Sequence, residues 1–372
     1  MSFSKTGYFL PLLLSVVFIA VITAPVQGSE VATRWQPGLN FEASDGSFGL
    51  EVSGKIQPRY EYERRDEKEN LSSFDIKRAE VVLGGYFLNE DLTWELGYDF
   101  GASAGQDLWI DYRFSKLLAI KFGQYDSPWG WERSTSSSSH LFTERSAASS
   151  KFEWPGGGDV GMQFHGKFKG INYAAGVFDG GGTLDKETEA SQGNMYSARL
   201  EYSSGQGKAK EEALVTRSNR PQFSLGGGVY HANRNSIQNW ALSGTSDTAE
   251  KVTSYTANLS FRYSLYSLHL QGFSWSVDLE DGDDFRGRGY TAGGGMLLRP
   301  EKLFASARFS YSHPDNDNRD LKERETYLGL QWYHKGHSWK THFEAGREEE
   351  YDTGDNSWEE NDIFRVQHHV SF

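Results

Sequence analysis

Apolar and polar residues alternate strictly over long stretches of this 372-residue chain. From Phe48 to Glu63 the even positions are apolar, aromatic or small, whereas the odd positions are almost wholly charged or polar. Successive side chains of a β-strand point to opposite faces, so this period of two predicts a long strand between two different environments. Pro58 cannot donate a ladder hydrogen bond and is expected at a β-bulge or a strand end.

The same alternation recurs along the chain and ends at the carboxy-terminal strand. There, Phe364, Val366, Val370 and Phe372 share one face, opposite Arg365, Gln367, His369 and Ser371. An apolar strand that ends in an aromatic residue is typical of a barrel that closes at a membrane interface. We count about sixteen such strands, most of them close to the 9–11 residues that a tilted membrane-spanning strand requires.

The connections between these strands also alternate, in length. Short ones lie near Asn89, Lys116, Gly170, Ser264, Pro300 and Gly336, and the longer ones between them are often acidic. Short turns at one end and long loops at the other indicate an outer-membrane barrel. The connection from Gly205 to Pro221 is an exception, because it is long on the side where the others are short. The sequence gives no reason for its length.

These patterns predict an all-β protein, a transmembrane antiparallel β-barrel of about sixteen strands. In hydrocarbon no backbone donor or acceptor can stay unpaired, so the sheet must close on itself. Residues 47–372 are assigned to the barrel and residues 29–46 to an irregular, non-spanning periplasmic segment. The alternative is a soluble all-β protein, in which one polar face would also be expected.

Residues 1–28 have the layout of a secretory signal peptide. Lys5 precedes an apolar, uncharged run from Tyr8 to Thr23, and Val26 and Gly28 occupy positions suited to cleavage ahead of Ser29. The run is shorter than the roughly 20 residues of a spanning helix, which favours cleavage over an anchor.

Composition narrows the class of protein further. The chain has no cysteine, which excludes a disulfide framework, and its net charge of −13 argues against nucleic acid as a partner. The mean hydropathy is low, at −0.62, because an alternating pattern averages out a lipid-facing surface. No motif calls for a cofactor or a metal ion, and neither is expected.

The polar faces of the strands carry the candidate chemistry. A barrel of sixteen to eighteen strands leaves a water channel, and basic side chains on its wall lower the barrier for anions. By strand parity, the basic residues that face this channel are Lys55, Arg59, Arg78, Arg113, Lys121, Lys167, Arg199, Arg262, Arg308 and Lys340. The same parity places acidic residues there, among them Glu80, Asp111, Glu201 and Glu344. A mixed wall without ion preference is therefore the alternative.

A barrel hydrolase is a second alternative. The run Ser136–Ser139 precedes His140, and Gly101–Gly105 matches the Gly-x-Ser-x-Gly elbow. That elbow requires a helix after the turn, whereas an alternating strand follows here. Neither feature occurs in the context that catalysis needs, and we expect no enzymatic activity.

Several motifs, in their order along the chain, resemble the bacterial phosphate-selective porin O and P family. They are Phe41–Gln57, Asp75–Glu80, Gly123–Arg133, Leu141–Ser146 and the closing Phe372. The resemblance implies a sixteen-stranded, usually trimeric channel of the bacterial outer membrane, in contact with lipid and lipopolysaccharide. It also implies passive diffusion of small anions, with phosphate and polyphosphate as candidate solutes; a general diffusion porin for small solutes is the alternative.

The resemblance further implies that the third loop folds inward and narrows the pore. Asp126 to Lys151 is then the constriction loop, and Pro128, Glu132, Phe142, Glu144 and Arg145 match the family pattern. We assign the pore constriction to Lys121, Glu132, Arg133, Glu144 and Arg145.

Overall fold

A computed structural model describes most of the chain after residue 30. The described residues are 31–35, 38–66, 68–102, 104–152, 158–180, 194–204, 211–233, 249–279, 283–316, 322–352 and 356–372. The predicted signal peptide, residues 1–28, lies outside them. No helix in the described ranges is long and apolar enough to cross a membrane.

The described residues form eighteen β-strands. They are β1 (Val31–Trp35), β2 (Leu39–Ala43), β3 (Phe48–Arg65), β4 (Leu71–Phe87), β5 (Leu92–Asp99), β6 (Ala104–Ser115), β7 (Leu118–Tyr125), β8 (Asp159–Phe168), β9 (Ile171–Phe178), β10 (Met195–Ser203), β11 (Ser218–Asn233), β12 (Ala249–Ser264), β13 (Tyr266–Leu279), β14 (Phe285–Arg299), β15 (Leu303–His313), β16 (Glu323–Lys335), β17 (Trp339–Asp352) and β18 (Ser357–Ser371). A 3₁₀ turn (Ser137–Ser139) and the short helix α1 (Ala147–Phe152) lie between β7 and β8.

Strands β3 to β18 form a closed antiparallel barrel of sixteen strands. Each pairs with the next along the chain, and β18 pairs with β3 from Asn361↔Arg65 to Ser371↔Lys55. The final residue completes this seam, since the Phe372 N–H donates to the Gly54 carbonyl at 3.0 Å and the Phe372 carbonyl accepts from the Gly54 N–H at 3.2 Å. The predicted fold class and strand number are confirmed.

The amino-terminal segment is more ordered than its sequence indicated. β1 and β2 pair with each other, and β2 continues along β3 from Leu39↔Val52 to Glu42↔Gly49. β2 thereby occupies the edge of β3 that lies beyond the end of β18. Each of the two strands has five residues, fewer than a membrane-spanning strand needs.

The two faces of the barrel wall differ as the alternation predicted. On β18 the outward side chains of Phe364 and Val370 are exposed, whereas the inward side chains of Arg365, Gln367 and His369 are buried within the barrel. Aromatic side chains such as Tyr112 and Phe114 cover the outer wall. An apolar outer face around a polar interior matches a barrel that lies in lipid.

One β-bulge changes which side chains reach the interior. The register of β3 with β4 shifts at Pro58, as the sequence indicated, with Gln57 opposite Arg78 and Pro58 opposite Ile76. Lys77 is therefore the extra residue of the bulge, and a bulge redirects side chains from their regular face.

Candidate functional site

The constriction loop folds into the barrel, as the family resemblance implied. Trp129 and Phe142 are almost fully buried although they belong to a loop, and so is Phe152, the residue after it. The ring centroid of Trp129 lies 5.3 Å from that of Tyr230 on β11, and that of Phe152 lies 4.7 Å from that of Trp275 on β13. The loop covers the inner wall with aromatic contacts rather than standing free in water.

Inward-facing glycines make room for the loop. At Gly228 on β11, a Cβ would lie 2.5 Å from the Trp129 carbonyl oxygen, and at Gly289 on β14 one would lie 2.7 Å from the Phe152 ring. Real Cβ atoms do not approach backbone this closely, so Gly228 permits a contact that a larger residue would prevent. The wall from β11 to β16 is thus shaped to receive the loop.

Hydrogen bonds fasten the loop to the same wall. Thr143 donates its N–H and its hydroxyl to the Glu344 carboxylate on β17, at 2.5 and 2.8 Å. The Gln331 side-chain amide on β16 donates to the carbonyls of His140 and Leu141 at 3.0 and 2.9 Å. These contacts satisfy polar groups of the loop that are no longer hydrated. Burying the same groups unpaired would cost free energy.

Among the predicted constriction residues, Glu132 has a structural role. Its buried carboxylate accepts hydrogen bonds from the N–H and hydroxyl of Ser146, at 3.1 and 2.9 Å. Arg133 donates through Nε to Asp126 Oδ1 at 2.9 Å. Both contacts join residues of the loop itself, so they fix its shape.

Glu144 is held between two basic residues of the opposite wall. Its carboxylate pairs with Arg59 on β3 and lies 2.7 Å from Lys77 Nζ at the bulge of β4. Burial alone would raise the pKa of Glu144, but Lys77 and Arg59 lower it to about 2. Lys77 was absent from the predicted set because strict parity points it outward; the bulge at Pro58 was the available signal.

Arg145 and His140 complete the inner edge of the loop. Burial and the nearby charges of Arg145 and Arg78 hold the pKa of His140 well below its usual value. Nε2 of His140 lies 3.1 Å from the carbonyl oxygens of Glu132 and Thr135, so it acts as a donor. This imidazole is committed to backbone contacts and does not activate the adjacent serines. Ser103 of the other candidate motif lies outside the described residues.

The basic residues predicted to line the pore fall into three groups. Arg262, Arg308 and Lys340 point inward, but their exposed fractions are only 4%, 6% and 0%. Arg308 pairs with Glu325 at 2.8 Å and donates to the Glu144 carbonyl at 2.7 Å. Inward-folded chain covers these three side chains, and their role in lining the pore stays a prediction.

On β3 and β4, the predicted residues are half-buried and paired. Lys55 Nζ lies 2.7 Å from Glu80 and donates to Ser137 of the constriction loop at 3.2 Å. Arg78 donates to Gln57 at 3.0 Å. These side chains connect the wall to the loop and to one another.

The third group borders an open cavity of about 540 Å³ against strands β6 to β10. Its charged and imidazole lining residues are Arg113, Lys116, Lys121, His165, Lys167 and Arg199, with the carboxylates Asp126 and Glu201. Arg113 pairs with Asp91 and Arg199 with Glu201. In the part of the chain that is described, no carboxylate forms an ion pair with Lys116, Lys121 or Lys167. Lys121 instead lies 3.8 Å from the centre of the Trp109 ring.

Two residues of this cavity escaped the sequence analysis. Lys116 lies in a turn, where strand parity assigns no face. His165 shares the inward face of β8 with Lys167, so parity was a sufficient signal; its Nε2 lies 2.8 Å from Asp111 Oδ2. The cavity is therefore more basic than the predicted list indicated.

Comparison with known proteins agrees with this architecture. Residues 50–224 match the family model described as phosphate-selective porin O and P. Porin O of Pseudomonas aeruginosa is 24% identical over 144 residues, which cover 36% of this chain and 32% of that protein. The match thus spans about a third of this curated relative.

Solved structures show the same fold at low sequence identity. The anion-selective porin from Comamonas acidovorans superposes with a TM-score of 0.64 at 12% identity, covering 87% of this chain and 100% of that one. The outer membrane channel DcaP of Acinetobacter baumannii gives 0.60 at 11% identity, with coverages of 89% and 99%. The trimer form of OmpT from Vibrio cholerae gives 0.57 at 10% identity, with coverages of 87% and 99%.

The family match begins in β3 and ends in β11, and so includes the constriction loop and the basic cavity. The closed barrel supplies the architecture for the remaining strands. Over residues 50–224, this outer-membrane barrel is thus similar to the phosphate-selective porin O and P family.

Proposed function

We propose that the protein is a passive diffusion channel for small anions. The carrying observation is the cavity against β6 to β10, into which Lys116, Lys121 and Lys167 point without an ion-paired carboxylate in the described structure. An unpaired ammonium group beside a low-dielectric wall attracts anions and repels cations. Since a porin needs only a water-filled route, no chemical step is required.

The paired charges of the cavity modify this attraction. Arg199–Glu201 and Arg113–Asp91 are close pairs, so each contributes little net field at a distance. They keep the route wet without favouring either sign. Anion preference then depends on the three lysines, and a weakly selective porin for small solutes is the alternative if salt screens them.

Phosphate is the solute that the family description brings forward, and the sequence resemblance adds polyphosphate as a candidate. Lysine binds phosphate as a compact charge, whereas arginine offers a planar fork for two oxygens. The unpaired cations here are lysines, so the cavity favours attraction of anions in general over a shaped phosphate site. We therefore propose small anions as the solute class, with phosphate among them.

The experiment is a reversal-potential measurement on purified protein in a planar bilayer under a KCl gradient. Wild type is expected to favour chloride over potassium, and the double variant Lys121→Gln, Lys167→Gln is expected to lose most of that preference. Lys302→Gln is the matched control, since this exposed lysine lies in the turn after β14 and outside the cavity. Cation preference in wild type would refute the anion proposal while leaving a pore intact.

We propose further that the protein assembles as a homotrimer in contact with lipid and lipopolysaccharide. One structural neighbour is described as a trimer form, and the outer wall here is apolar and aromatic enough to meet lipid or another barrel. Chemical cross-linking in isolated outer membranes should give a three-subunit band. Dimers or monomers alone at saturating cross-linker would contradict the trimer.

A further inference from the structure

The connection between β10 and β11 turns into the barrel from the end that carries the short turns. Its residues 205–210 lie outside the described structure, but Glu211 to Val215 are inside the lumen. Ala213 and Leu214 have exposed fractions of 0% and 2%. A connection that only joined two strands at the surface would not bury its apolar side chains in this way.

This segment binds the tip of the constriction loop through backbone groups and the Glu212 carboxylate. The N–H groups of Glu212 and Ala213 donate to the Ser139 carbonyl at 3.1 and 3.3 Å. In return, the Leu141 N–H donates to the Glu212 carboxylate at 2.7 Å. Two inward-folded segments that enter the barrel from opposite ends thus meet at one point.

The same segment is fixed to the wall. Ala213 and Leu214 belong to a buried cluster with Leu141 and Phe142 of the loop and with Leu297, Phe304, Tyr327 and Tyr333 of the wall. Val215 accepts a hydrogen bond from the Glu301 N–H at 2.8 Å, and the Glu212 carbonyl lies 2.9 Å from His269 Nε2. Arg262 pairs with Glu211 at 3.3 Å. The segment therefore joins the loop tip to strands β12 to β16.

We propose that Glu211–Val215 is a periplasmic strut that positions the constriction loop and thereby sets the size limit of the pore. Without the strut, the Ser139 carbonyl and the Leu141 N–H lose these partners, and Leu141 and Phe142 lose their packing against Ala213 and Leu214. A loop with few buried contacts opens locally at low cost in free energy. The proposal rests on the channel function but not on its anion preference.

The test is a charge placed at the buried end of the strut. Leu214→Asp should expel the strut from its apolar pocket, because an unpaired buried carboxylate is strongly disfavoured. We expect unit conductance in planar bilayers to rise roughly twofold and larger sugars to enter proteoliposomes. Asn219→Asp is the matched control, because it adds the same charge at an exposed position near the start of β11, outside the buried cluster that Leu214 joins.

The outcomes separate the strut from the channel itself. If wild type conducts and Leu214→Asp keeps both its conductance and its solute limit, the strut proposal is overturned. If wild type does not conduct, the channel proposal fails first. Heat-modifiable gel mobility shows whether each barrel is folded. If the strut had a purely structural role, its loss would change this mobility without altering the solute limit.

A second variant keeps the proposal testable if Leu214→Asp does not fold. The chain has no cysteine, so Ser139→Cys with Ala213→Cys introduces the only thiol pair. The Ala213 N–H donates to the Ser139 carbonyl at 3.3 Å, so the two residues are backbone neighbours and the pair tests whether their side chains can be bridged. A cross-link should form in the folded barrel without reductant and leave wild-type conductance. Its absence in folded, oxidised protein would overturn the proposal.

Discussion

The two sides of the barrel lumen follow the same strand parity but differ in what covers them. Against β11 to β17, the constriction loop and the strut fill the interior and bury Arg262, Arg308 and Lys340. Against β6 to β10, the cavity stays open and Lys121 and Lys167 face it. We call these the filled half and the open half. Facing inward is thus not sufficient for lining a pore.

The difference teaches that charge has two roles in one lumen. In the filled half, charged groups are buried beside partners, as Arg308 is beside Glu325 at 2.8 Å, and they hold chain segments together. In the open half, Lys116 and Lys167 are exposed and Lys121 lies over the Trp109 ring, so their field acts on solutes. Stability should therefore respond to changes in the first half and ion preference to changes in the second.

The largest effect is expected from overfilling the filled half. Gly228→Val would drive a side chain into the Trp129 carbonyl, and the loop must move away. We expect a loss of about 1–3 kcal/mol in the free energy of unfolding, as for other overpacked interiors, together with a wider pore. Denaturant unfolding in detergent and sugar uptake measure the two effects. Gly272→Ala is the control, because a Cβ there meets nothing within 4 Å, and equal destabilisation by both would contradict this account.

A smaller effect is expected from changing one lysine in each half. Lys167→Glu in the open half should lower the chloride-to-potassium permeability ratio roughly threefold, with little change in stability. Lys340→Met in the filled half should leave that ratio unchanged, because Lys340 is fully buried and donates to Gln331 at 3.0 Å. Reversal potentials and thermal melts of both variants check this. A selectivity change in Lys340→Met would remove the distinction between the halves.

The smallest expected effect is a pH dependence of the strut. Burial raises the pKa of Glu212 to about 8 from 4.5, with Glu132 adding to the rise and Arg308 and Lys340 opposing it. A raised pKa means that docking is fully favoured below 4.5 and weakens as the pH rises through about 8.

Unit conductance should therefore increase modestly as the pH rises from 4.5 to about 8, and level off above that. Glu212→Gln should remove this change, since an amide oxygen still accepts the Leu141 N–H but does not titrate. Single-channel recordings at fixed ionic strength provide the measurement. The same rise in Glu212→Gln would assign the effect to another group.

The alternation of residues was enough to predict the barrel and the inward direction of its basic side chains. The bulge at Pro58 followed from the missing N–H of proline, although its consequence for Lys77 did not, because parity past a bulge depends on the register. Which inward residues become buried depends on where the loops go. That outcome is set by contacts between residues far apart in sequence, such as Thr143 with Glu344.

The strut shows the same limit at a finer scale. Its apolar run from Ala213 to Val215 interrupts a connection rich in lysine and glutamate, which was the available signal. That run predicts burial but names no partner. The inward glycines Gly228 and Gly289 were likewise visible, yet their role becomes clear only when the backbone they admit is in place.

The off-centre position of the open cavity has a consequence for how such a protein changes over generations. A solute in the cavity contacts only the wall of strands β6 to β10, so single substitutions on these strands can change the solute preference. The filled half holds the inward-folded segments, and its sequence need not change when the open half does. Because the solute-contacting surface is separate from the scaffold, one fold can acquire new solute preferences without losing its stability.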